Sequence, residues 1–177
     1  MKVIFSHGKE SGPWGSKIKQ LASTAQSLGF SVDSIDYNGI MNPDERVEKL
    51  NDYLAHETQD FILVGSSMGG YVSLVCGGSR SPLGIFLLAP ALYMDGYLTQ
   101  DYACALDCVE IVHGWHDDII PFEHSVKYGK KARCSVHLID GDHRLNSSLE
   151  EVNKLFMSFL EKVKKRNSNS STNSINS

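Results

Sequence analysis

A serine lies between two glycines in the pentapeptide Gly65-Ser66-Ser67-Met68-Gly69, directly after the apolar run Phe61-Ile62-Leu63-Val64. A helix-like segment follows, so the local pattern is strand, sharp turn and helix, with Ser67 at the tip of the turn and its hydroxyl exposed. The flanking glycines have a steric reason, because such a turn brings the helix close to neighbouring strands, where a Cβ would clash. Ser67 is therefore a candidate nucleophile.

A serine hydroxyl is a weak nucleophile at neutral pH, and it needs a histidine to take its proton and a carboxylate to orient that histidine. Asp117 follows the apolar run 109–112, and His143 follows the run 136–139. All three side chains thus come after strand-like segments, where the carboxyl ends of parallel strands would bring them to one edge of a sheet. The sequence predicts a catalytic set of Ser67, Asp117 and His143.

Other residues compete for the roles of acid and base. Asp118 is the obvious rival of Asp117, although it also suits a turn or the N-cap of a following helix. His116 adjoins the proposed acid and is the strongest alternative base, and Asp142 is an alternative acid. His113 precedes a glycine in a strand-end loop, as His7 also does, and we expect these two histidines to shape the site rather than transfer protons.

Backbone amides must stabilise the oxyanion that forms when a serine attacks a carbonyl. The first donor is expected to be the N–H of Met68, aided by the N-terminus of its helix. The second should come from the loop 6–14, where Lys9 is the best positional candidate. A phosphate-binding interpretation of this loop fails, because Val3 replaces the first glycine of that motif and Glu10 replaces its serine or threonine.

Apolar or β-branched runs alternate with segments of helical periodicity along most of the chain. The runs are Val3–Phe5, Val32–Tyr37, Phe61–Val64, Ile85–Leu88, Val109–Val112 and Val136–Ile139. This alternation predicts an α/β fold with a mostly parallel six-stranded sheet and helices on both faces. With right-handed crossovers and the strand order 2-1-3-4-5-6, the loop after the first strand and the turn at Ser67 would be neighbours.

Two segments lack this pattern. Between Ala91 and Asp107 the periodicity is poor and three tyrosines occur, so we expect a loop or short lid whose tyrosines most often pack in the core. Residues 167–177 are almost wholly Asn, Ser and Thr, and they predict a disordered tail. The remaining 1–166 should form a single domain, because 177 residues are enough for one core.

Composition limits the partners. A net charge of −4, with basic residues clustered only at 162–166, makes nucleic acid an unexpected partner. No apolar run approaches membrane-spanning length, and the start of the chain has no signal-peptide pattern. The four cysteines have no CxxC or metal-ligand spacing, so we expect free thiols and a cytoplasmic location.

Four separated signals make the chain from Val3 to Val163 resemble an α/β-hydrolase: Ser6-His7-Gly8, the 65–69 pentapeptide, the 113–121 loop and Gly141-Asp142-His143. The resemblance implies the roles given above, and it favours Asp117 over Asp118 because the spacing from Gly114 to Pro121 is that of the superfamily's acid loop. The compact length, without room for a cap domain, is similar to small bacterial esterases of the YqiA-like group.

These observations predict a serine esterase or thioesterase that cleaves small acyl esters through an acyl-serine intermediate. The substrate would be a small molecule with a short or medium acyl group, and neither a metal nor a cofactor is needed. One alternative is a binding module that keeps the fold without catalysis. Another is an acyltransferase that uses the same three residues. The oligomeric state stays open.

Overall fold

The computed structural model describes residues 1–173, and the side chains as far as residue 170. Its centre is a six-stranded sheet in the order β2-β1-β3-β4-β5-β6, in which all neighbouring strands are parallel. The strands are β1 (Lys2–Ser6), β2 (Ser31–Ile35), β3 (Phe61–Ser66), β4 (Gly84–Leu88), β5 (Val109–Gly114) and β6 (Ser135–Ile139). The predicted strands and their order are confirmed.

Helices cover both faces of the sheet. They are α1 (Ser16–Ser27), α2 (Pro43–Ala55), α3 (Met68–Arg80), α4 (Phe122–Ala132) and α5 (Leu149–Asn173). Alternate strand residues point to opposite faces, so Val3 and Phe5 join the apolar core beneath α1 and α5. Ile4 joins the second core, which contains side chains of α2, α3 and α4. Burial on both faces explains why these strands are continuous apolar runs rather than alternating ones.

Local signals explain several helix ends. The Asn42 side chain caps α2 by accepting hydrogen bonds from the amides of Asp44 and Glu45, at 2.8 and 3.4 Å. Pro43 follows at the first helical position, where its missing N–H costs nothing. Gly29 has φ +86° just after α1 and ends that helix in a left-handed turn.

The two segments without clear periodicity differ in the structure. Residues 89–108, between β4 and β5, contain neither helix nor strand, and Tyr102 is buried there among other tyrosines. Helix α5 continues through Asn173, so residues 167–173 of the predicted disordered tail are helical, because they extend the last turns of α5. Residues 174–177 lie outside the described part, and for them the disordered tail stays a prediction. No helix within residues 1–173 is long and apolar enough to cross a membrane.

Candidate active site

Ser67 lies between the end of β3 and the start of α3 in an unusual backbone conformation. Its φ and ψ are 54° and −121°, a combination that non-glycine residues rarely adopt. Three hydrogen bonds hold it there: the Ser67 amide donates to the Leu88 carbonyl, and the Ser67 carbonyl accepts from the amides of Gly70 and Ala91, each at 2.9 Å. The turn is therefore tied to β4 and to the segment that follows it.

The two glycines of the pentapeptide are required by close backbone approaches. A Cβ on Gly65 would lie 2.2 Å from the carbonyl oxygen of Gly69, and a Cβ on Gly69 would lie 2.0 Å from that of Ser6. Both contacts are with backbone atoms, so neither can be relieved by moving a side chain. The turn therefore packs the start of α3 directly against the end of β1.

The structure brings Ser67, His143 and Asp117 together in one hydrogen-bonded series. His143 Nε2 lies 3.0 Å from Ser67 Oγ, and His143 Nδ1 lies 2.7 Å from Asp117 Oδ2. Because an ionised carboxylate can only accept, Nδ1 carries the proton and donates it to Asp117, which leaves the Nε2 lone pair facing the serine hydroxyl. This arrangement can remove the hydroxyl proton as the serine attacks.

The side chain of Asp117 is fully buried, and its carboxylate accepts several hydrogen bonds. Its Oδ1 accepts from the amides of Ile119 and Ile120 at 2.9 and 2.8 Å. Burial alone would raise the pKa of Asp117, but the bonds from Ile120, His143 and Ile119 and the charge of His143 outweigh it and lower the pKa below its usual value. The carboxylate is thus ionised at neutral pH.

A second histidine contacts the same carboxylate. His113 is completely buried, and its Nε2 donates to Asp117 Oδ2 at 2.9 Å while also lying 3.1 Å from the Ile120 carbonyl. Its Nδ1 lies 2.7 Å from the hydroxyl of Ser125, which donates to it because the proton of the neutral ring is on Nε2. Burial lowers the pKa of His113. The contact with Ser125 of α4 had no signal in the sequence.

The alternative acids and bases lie elsewhere. Asp118 is exposed and makes no side-chain hydrogen bond among residues 1–170. His116 faces Asp140 at 3.1 Å with both side chains largely exposed. Asp142 accepts a 2.9 Å hydrogen bond from the Leu145 amide within its own turn. None of the three is in the series that ends at Ser67.

The loop after β1 lies beside the serine because β1 and β3 are neighbours, with Ser6 opposite Gly65. A Cβ on Gly8 would lie 3.5 Å from the Cβ of Ser67, and Lys9 borders the same cavity as Met68. The Met68 amide is the first of α3 and has no acceptor within its helix. Within the described residues the Lys9 amide has no hydrogen-bond acceptor either. Neither amide is therefore used in a hydrogen bond within the described residues, and the predicted role of the two amides as oxyanion donors stays a prediction.

A cavity of about 500 Å³ opens over Ser67, and both apolar and charged side chains line it. The apolar ones include Met94, Tyr97 and Ile119, and the charged ones are Lys9, Glu10, Lys17 and Arg144. Lys17 donates to the Arg144 carbonyl at 2.9 Å, and burial, partly offset by Asp142, lowers the pKa of Lys17 to about 8. Within the part that the structure describes, no cluster of three His, Cys, Asp or Glu side chains could hold a metal ion.

Comparisons with known proteins agree with this fold. Residues 2–104 match the model of the Uncharacterised protein family (UPF0227). The chain is also similar to a protein of Bos taurus named palmitoyl-protein thioesterase ABHD10, mitochondrial, with 31% identity over 110 residues. This match covers 55% of the chain and only 35% of that relative.

Two solved structures have the same architecture. A candidate hydrolase of the α/β superfamily from Xanthomonas campestris pv. campestris has a TM-score of 0.82 and 27% identity, over 91% of this chain and 98% of the other. A second protein of that species, described as an α/β serine hydrolase without a lid, has a TM-score of 0.67 and 15% identity, over 90% of this chain and 81% of its own. Because the identity is low, this likeness supports the fold alone.

Proposed function

We propose that this chain, which belongs to the uncharacterised protein family UPF0227 and has the α/β-hydrolase fold, is a serine hydrolase that cleaves carboxylic esters or thioesters. One observation carries the proposal: Ser67 Oγ, His143 and Asp117 form a continuous hydrogen-bonded series beneath an open cavity. A serine flanked by a base and an oriented acid is the arrangement that acyl transfer requires.

The proposed reaction has two halves. Ser67 Oγ attacks the substrate carbonyl while His143 Nε2 takes the hydroxyl proton, and the resulting oxyanion accepts hydrogen bonds from the Met68 and Lys9 amides. His143 then gives its proton to the departing alcohol or thiol, which leaves an acyl-serine. A water molecule repeats the attack with His143 as base, and the acid product and free Ser67 result. Asp117 keeps the imidazole in the tautomer that both halves need.

The substrate class follows from the cavity. Within residues 1–173 no cap domain covers its opening, because residues 89–108 form the whole connection between β4 and β5. The apolar lining residues Met94 and Tyr97 suit a short or medium acyl chain. Thioesters belong in the proposal because the Bos taurus relative is named a thioesterase, although the match covers about a third of that protein. Side chains and backbone amides supply every step, so the proposal includes no metal or cofactor.

We also propose a cytoplasmic location. All four cysteines are free in the described structure, as is usual in reducing compartments. The relative from Bos taurus is named as mitochondrial, so localisation of a tagged full-length chain is the direct test.

Labelling with a fluorophosphonate tests the serine without a choice of substrate. We expect intact-mass and peptide analysis to find the label on Ser67 in the wild type and none in Ser67→Ala, with ester turnover reduced by roughly three or more orders of magnitude in the variant. The melting temperature of Ser67→Ala should change little, since the hydroxyl is small and partly exposed.

Ser66→Ala is the matched control, because Ser66 adjoins Ser67 and also borders the cavity, whereas the hydrogen bonds of the His143 ring go to Ser67 and Asp117. It should keep the label. A folded wild-type protein that takes no label would contradict the proposal and favour a binding module with this fold. Product analysis with added alcohol or amine acceptors then separates a hydrolase from an acyltransferase.

A further inference from the structure

Arg46 is a buried cation without an acidic partner. It lies on α2 with 1% of its surface exposed, and its guanidinium stacks 5.1 Å from the Tyr37 ring. Among residues 1–170 no carboxylate lies within ion-pairing distance of it. Burial lowers the pKa of Arg46, but a guanidinium stays charged at neutral pH. A buried charge is costly unless hydrogen bonds compensate for it, so the partners of Arg46 indicate its role.

All hydrogen bonds of the Arg46 side chain go to backbone carbonyls. Nε donates to Ile40 at 2.7 Å, and Nη1 donates to both His7 and Gly8, at 3.1 and 3.2 Å. The last two carbonyls belong to the loop after β1, which is 38 residues or more away in sequence. Arg46 therefore connects α2 to the loop that borders Ser67.

The Gly8 carbonyl also accepts from a second buried side chain. His7 Nε2 accepts a 3.0 Å hydrogen bond from the Tyr37 amide, so the ring proton must be on Nδ1, which donates to the Gly8 carbonyl at 2.7 Å. Burial lowers the pKa of His7 and keeps the ring neutral. The orientation of this one carbonyl is thus fixed by two donors, of which one is a full positive charge.

The Gly8 carbonyl and the Lys9 amide belong to the same peptide group. That group is planar and trans, so its C=O and N–H point in opposite directions. A carbonyl held toward Arg46 and His7 consequently directs the Lys9 N–H away from them. Gly8, Lys9 and Ser67 line the same cavity, and a Cβ on Gly8 would lie 3.5 Å from that of Ser67. A cation bound to the carbonyl also polarises the peptide and strengthens its N–H as a donor.

We infer that Arg46 is a positioning residue of the oxyanion hole. Arg46 holds the Gly8–Lys9 peptide in the orientation that presents the Lys9 N–H to the oxyanion formed at Ser67. This inference rests on the proposed function for its chemistry, but its structural part concerns only the peptide. Arg46 itself does not touch the substrate.

Kinetics of two Arg46 variants test the inference. Arg46→Met keeps much of the side-chain volume but no donor, and because an oxyanion donor acts in the transition state, kcat should fall by about 10- to 100-fold with KM nearly unchanged. Arg46→Lys keeps the charge, but a single ammonium cannot reproduce the guanidinium fork that reaches both Ile40 and Gly8. The kcat of Arg46→Lys should therefore lie between those of the wild type and Arg46→Met.

Arg80→Met is the matched control. Arg80 lies on α3 and also donates to α2, through Asn51, but it is exposed and distant from the loop after β1. It should retain wild-type kcat and KM. Crystal structures of the Arg46 variants give the readout that activity alone cannot, since the Gly8–Lys9 peptide should rotate or become disordered in Arg46→Met, and Arg46→Lys serves if Arg46→Met does not fold.

The outcomes separate the two proposals. A wild type without fluorophosphonate labelling would end the proposed function, whereas the peptide orientation in the variant crystals would still decide the role of Arg46. A labelled wild type together with an Arg46→Met variant of unchanged kcat, or with an unchanged Gly8–Lys9 peptide, would overturn the inference and leave the hydrolase proposal intact.

Discussion

At the level of single residues, Asp117 is the most heavily bonded group of the site. Two histidines donate to its Oδ2, His143 at 2.7 Å and His113 at 2.9 Å, and two backbone amides donate to its Oδ1. Four donors on one carboxylate explain how it stays ionised although its side chain is fully buried. His113 and His143 thus share one oxygen of the same carboxylate.

Removal of His113 should therefore loosen the hold on Asp117. In His113→Phe the carboxylate loses one of its two histidine donors, while a ring of similar size still fills the space, so we expect kcat to fall by roughly tenfold with KM nearly unchanged. His113→Gln is the control, because its amide can donate to Asp117 from nearly the same position. Equal kcat values for wild type and His113→Phe would argue that this histidine only fills space.

The sequence predicted those residues whose roles are marked by local patterns. Ser67 stood out because glycines and an apolar run surround it, and Asp117 and His143 because each follows a strand. Arg46 and Ser125 could not be found in this way, since their partners are 38 and 12 residues away in the chain. The only trace of Arg46 is its position four residues before Leu50, which makes it part of the buried stripe of α2.

At the level of elements, backbone hydrogen bonds connect the loop after β5 to the loop after β6, and these two loops carry Asp117 and His143. The Trp115 amide donates to the Ile139 carbonyl at 2.9 Å, and the His116 amide donates to that of Gly141 at 3.0 Å. A Cβ on Gly114 would lie 2.1 Å from the Gly141 carbonyl oxygen, so no larger residue fits there. Asp117 and His143 consequently reach the site as one unit.

The segment 89–108 is fixed by α2 and α3. The Tyr71 hydroxyl donates to Asp44 at 2.5 Å and accepts from the Thr99 amide at 3.1 Å, and the Tyr71 and Tyr97 rings meet edge to face at 4.6 Å. Tyr97 also borders the cavity, whereas Tyr102 is buried in the core. The sequence indicated a loop with packed tyrosines but could not assign each ring, because irregular segments have no periodicity that separates buried from exposed positions.

Acyl-chain selectivity tests the role of this segment. The wild type should hydrolyse acetyl to hexanoyl esters with higher kcat/KM than dodecanoyl esters, since the bulky side chains of Tyr97 and Met94 line a cavity of about 500 Å³. Tyr97→Ala should shift the optimum toward longer chains by several-fold, at about 1 kcal/mol per added methylene that finds room. Tyr93→Ala is the control, because Tyr93 packs on Tyr102 and Lys127 instead of bordering the cavity. A wild type that strongly prefers dodecanoyl esters would contradict this.

At the level of the whole molecule, the strand order determines where the site forms. Strand β2 lies on one side of β1, and β3 and the later strands lie on its other side. The connections that leave β1 and β3 therefore run in opposite directions along the sheet, and the cavity lies at this switch point. This architecture was predictable from the alternation of apolar runs with helical segments, since few topologies satisfy right-handed crossovers. The extension of α5 through Asn173 was not, because Asn, Ser and Thr are weak helix formers.

Two buried neutral histidines also link the stability of the molecule to pH. Burial lowers the pKa of both His7 and His113, so the unfolded chain binds protons that the folded protein refuses as the pH falls below the reference value of about 6.5. Their contribution is present above that value and is lost as the pH falls further. Each can cost up to about 1.4 kcal/mol per pH unit. Asp117, whose pKa is lowered as well, adds its loss only below the reference value of about 3.9.

Thermal unfolding between pH 8 and pH 4.5 measures this linkage. The melting temperature of the wild type should be nearly constant above pH 7 and should fall progressively below pH 6.5. In His113→Gln, which keeps a donor to Asp117 but cannot titrate, the fall should be visibly shallower, although the variant is less stable at pH 8. Between pH 6.5 and pH 5.5 the slope should become shallower still when His7→Gln is added. A wild-type melting temperature that is flat down to pH 5 would mean that both rings accept protons in the folded state, and it would contradict the tautomers on which the orientations of Asp117 and of the Gly8–Lys9 peptide depend.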